Sequence, residues 1–404
     1  MLQKSVISLR VTKRLVFHIG GYDPILPPGD AYRRFLRELK RFERTWSVEA
    51  SVSPPLISRD EMNWTITATG QNWRVENQFR LVRWDDVIQS KTQEPLWRRL
   101  PLGIVAFFDF VFGGALRGYL RTSWHYAIFF LYPFTSFALL ALTALAIGML
   151  ICRADALLGS ISGLTAFAIL LAGPWRWLHL AALFDDWIFS RDYIRAGNSV
   201  LTQRLDRMAA QIIEAARVSS VDEILVVGHS LGAVLAIDLL DKTLTLQPAL
   251  GLVGPRVAFI SIGSSVLKIG LHRGARGFRA ALGRVASAPG LFWGDYQARV
   301  DIMNFYGTHP TAAMALRAGA MPVVRLVEIG RMLEHATYRK MRLRFFRLHC
   351  QFISGNDRRA EYDYFMLTCG PLTAECQTRN PDGAQGIIGE DGAVVTQPYE
   401  GVCR

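Results

Sequence analysis

Asp222-Glu223-Ile224-Leu225-Val226-Val227-Gly228-His229-Ser230-Leu231-Gly232 runs into Ala233-Val234-Leu235-Ala236-Ile237-Asp238-Leu239-Leu240 with no linker between the two patterns. The first part is an unbroken aliphatic and β-branched run up to a glycine, which predicts a short buried strand. The second part has helical composition. A serine between them must reverse the chain within a few residues, and the glycines on either side let strand and helix pass without a Cβ clash. Such a turn lifts the Ser230 hydroxyl out of the sheet. It also sets that hydroxyl at a helix N-terminus, where the Leu231 amide can point at a developing oxyanion.

Strand, sharp turn and helix around Gly-x-Ser-x-Gly resemble the nucleophile elbow of the α/β-hydrolase superfamily, and Gly-His-Ser-Leu-Gly is most similar to its lipase and esterase members. The resemblance covers the start of the chain and residues 198–371. It implies an α/β fold with a mostly parallel sheet flanked by helices. It also implies a serine, an acid and a histidine in that chain order, with no metal or organic cofactor required.

Residues 14–19 (Arg-Leu-Val-Phe-His-Ile) read as a core strand running into Gly20-Gly21-Tyr22-Asp23-Pro24. A strand ending in His-x-Gly-Gly near the N-terminus is similar to the hydrolase strand whose following loop supplies the second oxyanion amide. That resemblance implies Gly21 or Tyr22 as the donor, with Leu231 as its partner. His18 lies on the strand and is expected to be structural. Residues 31–46 put Phe35, Leu36, Leu39 and Phe42 on one face of an amphipathic helix, and residues 63–69 and 78–87 read as strands.

The chain then changes character. Residues 96–121 are apolar but interrupted by Asp109 and flanked by arginines, which predicts an interfacial or re-entrant helix. Residues 127–152 contain no charged side chain and predict a transmembrane helix, and residues 156–172 predict a second, shorter one. Gly159, Ser160, Ser162 and Gly163 are small enough for the two helices to pack closely. Arg98, Arg99, Arg117 and Arg121 precede this hairpin and Arg176, Arg191 and Arg195 follow it, which places both flanks on the cytoplasmic side of an inner or plasma membrane. The expected organisation is a hydrolase half at 1–95, a membrane insertion at 96–197, a second hydrolase half at 198–371 and a flexible tail at 372–404.

Composition agrees with a membrane part: half of the 404 residues are hydrophobic, and the mean hydropathy is +0.18. With 46 basic against 34 acidic side chains the net charge is +12, which suits anionic lipid headgroups. There is no nucleic-acid-binding motif. The bilayer and an acyl ester are the expected partners. Met1 to Arg14 lacks the apolar region of a secretory signal. The five cysteines show neither paired spacing nor a metal pattern, which suits a reducing compartment.

A serine nucleophile needs a base and an acid that orients the base. Asp301 resembles the turn aspartate of the superfamily, with Ile302 where a proline often stands, and Asp295 is the alternative; Asp363 is a weaker one. Among the histidines, His309 sits beside Pro310 in a turn and His335 in a helical stretch. Residues 341–348 alternate apolar and arginine residues like a last strand, and His349 follows directly. The expected activity is hydrolysis of a carboxylic ester through Ser230, His349 and Asp301. The alternatives are a hydrolase-fold membrane interaction protein without turnover, or a thioesterase or peptidase using the same site.

Overall fold

The computed structural model describes residues 10–22, 30–173, 177–218, 220–316, 319 and 321–395, without the side chains of residues 91 and 92. Asp23 and Pro24 of the N-terminal loop lie outside the described residues. So do Trp175 and Arg176.

Two compact units make up the chain. The first comprises residues 1–86, 199–271 and 275–404, the second residues 87–198 with 272–274. The boundaries therefore fall near 86 and 198, rather than at 95 and 197.

The first unit is an α/β structure with a mixed nine-stranded sheet. Its strands are β1 (Lys13–Ile19), β2 (Glu49–Val52), β3 (Leu56–Ile57), β4 (Glu61–Gly70), β5 (Trp73–Val82), β6 (Glu223–His229), β7 (Arg256–Ile262), β8 (Leu291–Ala298) and β9 (Val323–Val327). The order is β2-β4-β5-β1-β6-β7-β8-β9, with β3 on β4. From β5 to β9 every neighbour is parallel, whereas β2, β3 and β4 pair antiparallel. Burial explains the split. β6 and β8 are buried at every position, as strands covered on both faces must be, while β4 and β5 alternate. β5 begins at Trp73 rather than 78, and Asp85–Thr92 is a helix.

Helix Asp30–Trp46 buries Phe35, Leu39, Phe42 and Trp46. Phe35 meets Trp64 and Phe365 at ring distances of 5.0 and 5.1 Å, which joins this helix, β4 and helix Tyr364–Cys369 in one core.

Two segments depart from the sequence reading. Residues 341–348 are not a strand: helix His335–Met341 ends there and helix Phe345–Cys350 begins, so His349 is helical. The last strand is β9, and the arginine alternation had imitated a sheet period. Residues 372–395 are not a loose tail. Leu372, Ala374, Cys376, Ala384, Ile387, Ile388 and Val394 are buried, and Ala374–Arg379 is helical. The buried Arg14 guanidinium holds this segment, donating to Glu223 at 2.6 Å, Gly370 O at 2.9 Å and Leu372 O at 2.6 Å. Glu223 in turn accepts from Ala374 N at 2.8 Å, so a buried charge pair is fully used as a staple. Cys152, Cys350 and Cys369 are free, and Cys376 is disulfide-bonded.

The second unit is helical. Leu96–Phe112 and Ala115–Thr122 are bent by 65° at a break where Gly114 takes a φ of +81°. Arg195 donates to Asp109 at 2.6 Å, and His272 Nε2 lies 3.0 Å from the Asp109 carbonyl. Among the described residues one helix, Trp124–Cys152, is by itself long and apolar enough to cross a membrane. Ala156–Ala172 has 17 residues, about 26 Å of helix, and falls short of the roughly 30 Å hydrocarbon thickness expected of a second span. The two pack through glycine: a Cβ on Gly163 would lie 3.2 Å from Gly148 Cα.

Candidate active site

Ser230 stands between β6 and helix Gly232–Leu246 with a φ of +55°, a left-handed conformation that costs a serine roughly 1–2 kcal/mol. Its N–H donates to Ile262 O at 3.0 Å and its carbonyl accepts from Ser265 N at 3.1 Å, so the strained backbone is pinned at both ends. The flanking glycines are needed for close approach. A Cβ on Gly228 would stand 2.4 Å from Ala233 Cα, and one on Gly232 would stand 2.1 Å from Ile19 O at the end of β1.

The loop after β1 reaches the same serine through its backbone. A Cβ on Gly21 would lie 2.8 Å from Ser230 Cβ. Trp84 Nε1 donates to Gly20 O at 3.0 Å, and the Tyr22 ring meets Trp84 edge-on at 6.1 Å. Leu231 is buried at the helix start, where the N–H groups have no intrahelical acceptor. Gly21 and Leu231 thus border Ser230 from two elements, and Tyr22 follows Gly21 in the same loop.

Asp301 sits in the turn after β8 and His349 on the helix Phe345–Cys350. The two meet across 48 residues: His349 Nδ1 lies 2.7 Å from Asp301 Oδ2, and Asp301 Oδ1 accepts from Met303 N at 2.9 Å. With Nδ1–H donated to the carboxylate, Nε2 is left as the acceptor. That nitrogen is buried and has no hydrogen-bond partner among the described residues. Ser230 Oγ lies instead 3.4 Å from Ser265 Oγ. Ser230, Asp301 and His349 are respectively 7%, 2% and 4% exposed, so the site is closed.

His229 ties the pieces together. Its ring lies 4.6 Å from that of His349, and its Nε2 is 3.2 Å from the His349 carbonyl. Burial, then the neighbouring His349, holds the His229 pKa well below the usual histidine range. A neutral His229 therefore donates from Nε2 to that carbonyl. His18 is also neutral, pushed down to about 3 by burial and Arg34, and its Nδ1 pairs with Tyr364 Oη at 3.0 Å.

The other candidates do not join this group. Asp295 lies inside β8, where it accepts from Ser261 Oγ and, at 2.7 Å, from Gln297 Nε2. Asp363 caps helix Tyr364–Cys369 by accepting from Met366 N at 2.9 Å and also accepts from Trp46 Nε1 at 3.0 Å. His309 Nδ1 pairs with Thr311 Oγ1 at 3.0 Å beside its turn. His335 is exposed at the start of its own short helix.

Sequence reading passed over His229, although it lies inside Gly-His-Ser-Leu-Gly, and Ser265, which stands three positions beyond the end of β7. Comparison with protein-family models, with curated proteins and with solved structures found no match.

Proposed function

We propose that the chain is a membrane-anchored serine hydrolase of α/β-hydrolase type that cleaves a carboxylic ester, a lipid or other acyl ester above all. The observation that carries this reading is the buried Asp301–His349 pair, whose free Nε2 lies in the same closed site as a serine held at positive φ. In support, Ser230, Asp301 and His349 come after β6, β8 and β9, in the chain order of that superfamily.

In this mechanism His349 Nε2 takes the Ser230 hydroxyl proton as Oγ attacks the ester carbonyl. The Leu231 amide, with that of Gly21 or Tyr22, receives the negative charge on the carbonyl oxygen. Collapse breaks the C–O bond, and the alcohol leaves with the proton from His349. Water, deprotonated by the same nitrogen, then attacks the acyl-enzyme and releases a carboxylic acid and free Ser230. A thioester or amide would use the same groups.

Trp124–Cys152 supplies the anchor, and the flanking arginines favour the cytoplasmic side for both flanks and for the catalytic unit. The Ser230 hydroxyl, which faces Ser265 rather than His349, favours a second reading, a hydrolase-fold membrane interaction protein without turnover.

A serine-reactive fluorophosphonate decides between them. Detergent-solubilised protein is expected to label and the Ser230→Ala protein is not; a folded protein that stays unlabelled would favour the inactive reading.

A further inference from the structure

The turn after β7, Gly263-Ser264-Ser265, touches both the base and the nucleophile. Gly263 has a φ of +52°, and a Cβ there would stand 3.0 Å from His349 Cε1. The Ser264 hydroxyl is occupied locally, accepting from Val266 N at 3.1 Å. Ser265 faces the nucleophile twice, through its N–H to the Ser230 carbonyl at 3.1 Å and through its Oγ, 3.4 Å from Ser230 Oγ.

Two facts then belong together. Among the described residues His349 Nε2 is a buried acceptor without a donor. The hydroxyl that acyl transfer needs on that nitrogen is turned to Ser265. Because the Ser230 backbone is pinned at N–H and carbonyl, the freedom left to the side chain is rotation about its Cα–Cβ bond.

We propose that Ser265 is a positioning residue that holds the Ser230 hydroxyl in a resting rotamer, off His349, and that its release precedes attack. This rests on the acyl-transfer reading above. The contact is long for a hydroxyl pair, so the latch is weak and the resting rotamer is favoured by only a small factor.

The test compares wild type, Ser265→Ala and Ser265→Thr, with rates normalised to the Ser230-dependent labelling end point. Ser265→Ala is expected to react with fluorophosphonate about two- to fivefold faster than wild type, and Ser265→Thr, which keeps a hydroxyl, at the wild-type rate. On p-nitrophenyl acetate the same factor is expected in kcat/KM, which reports acylation of Ser230, a gain that loosened packing would not give. A Ser265→Ala rate at or below wild type overturns the latch while leaving the hydrolase reading intact. Ser230-dependent labelling in neither protein overturns the hydrolase reading itself, and the latch with it.

Discussion

Two aspartates six positions apart experience opposite surroundings. Asp295, within β8, is sealed in the sheet and has only the neutral donors Ser261 and Gln297. Burial pushes its carboxyl up to about 6, and those two hydrogen bonds only partly oppose the shift. Asp301, in the turn that follows, faces an imidazole that can become a cation. A carboxylate without a cation is an electrostatic liability in a low-dielectric core, whereas one that anchors a proton-accepting histidine gains as charge develops on the ring. Burial alone therefore does not single out the acid of the proposed triad. The partner does.

Exchanging each carboxylate for an amide breaks the comparison most sharply. Asp301→Asn is expected to lower kcat for ester hydrolysis by about 10³- to 10⁴-fold, because an amide no longer fixes the His349 tautomer or stabilises its charged form. Asp295→Asn is expected to stay within a few-fold of wild type. Steady-state rates on one soluble ester measure both, and equal losses at the two positions would remove Asp301 from its special role.

The next effect concerns stability. A folded pKa of about 6 at Asp295 lies above the ordinary aspartate value, so the native state binds this proton more tightly than the unfolded chain does. The resulting stabilisation is complete below about pH 4 and is lost as pH rises through about 6. A shift of about two units corresponds to about 3 kcal/mol. Asp295→Asn cannot lose it, so the variant should gain about that much relative to wild type between pH 4 and pH 7. Paired melting curves in detergent across that range would show the gain, and parallel curves would contradict it.

How much of this was legible depended on range. The elbow could be read because its causes are local: an aliphatic run, two glycines and a helix start lie within a few residues of Ser230. The strand before Gly21 was legible for the same reason. The segment carrying His349 was misread because Met341 to Leu348 happens to alternate, and alternation cannot tell a strand from two short helices joined by a turn. The segment after Pro371 looked loose because its anchoring is remote: Arg14 reaches Leu372 O across 358 positions, and no local pattern announces that. Ser265 stayed hidden because its meaning is a distance to Ser230, not a spacing.

The smallest expected effect tests whether the two aspartates are coupled. Gln297 bridges their surroundings, donating from one nitrogen to Asp295 Oδ2 at 2.7 Å and to Thr308 O at 2.8 Å, while its Oε1 accepts from Thr308 N at 3.3 Å. Thr308 closes the loop that starts at Asp301, so the Gln297 amide ties the sealed carboxylate to the loop bearing Asp301. Gln297→Met keeps the volume but deletes three hydrogen bonds and leaves buried polar groups unsatisfied, at a cost of about 1–3 kcal/mol. Asp301 keeps its own contacts to Met303 N and His349, so the loop loosens at its far end first. The expected result is a clear loss of melting temperature with a several-fold fall in kcat, far from the loss at Asp301→Asn. A stability loss with no change in kcat would mean that the loop holds Asp301 unaided, and that the two surroundings are neighbours in sequence only.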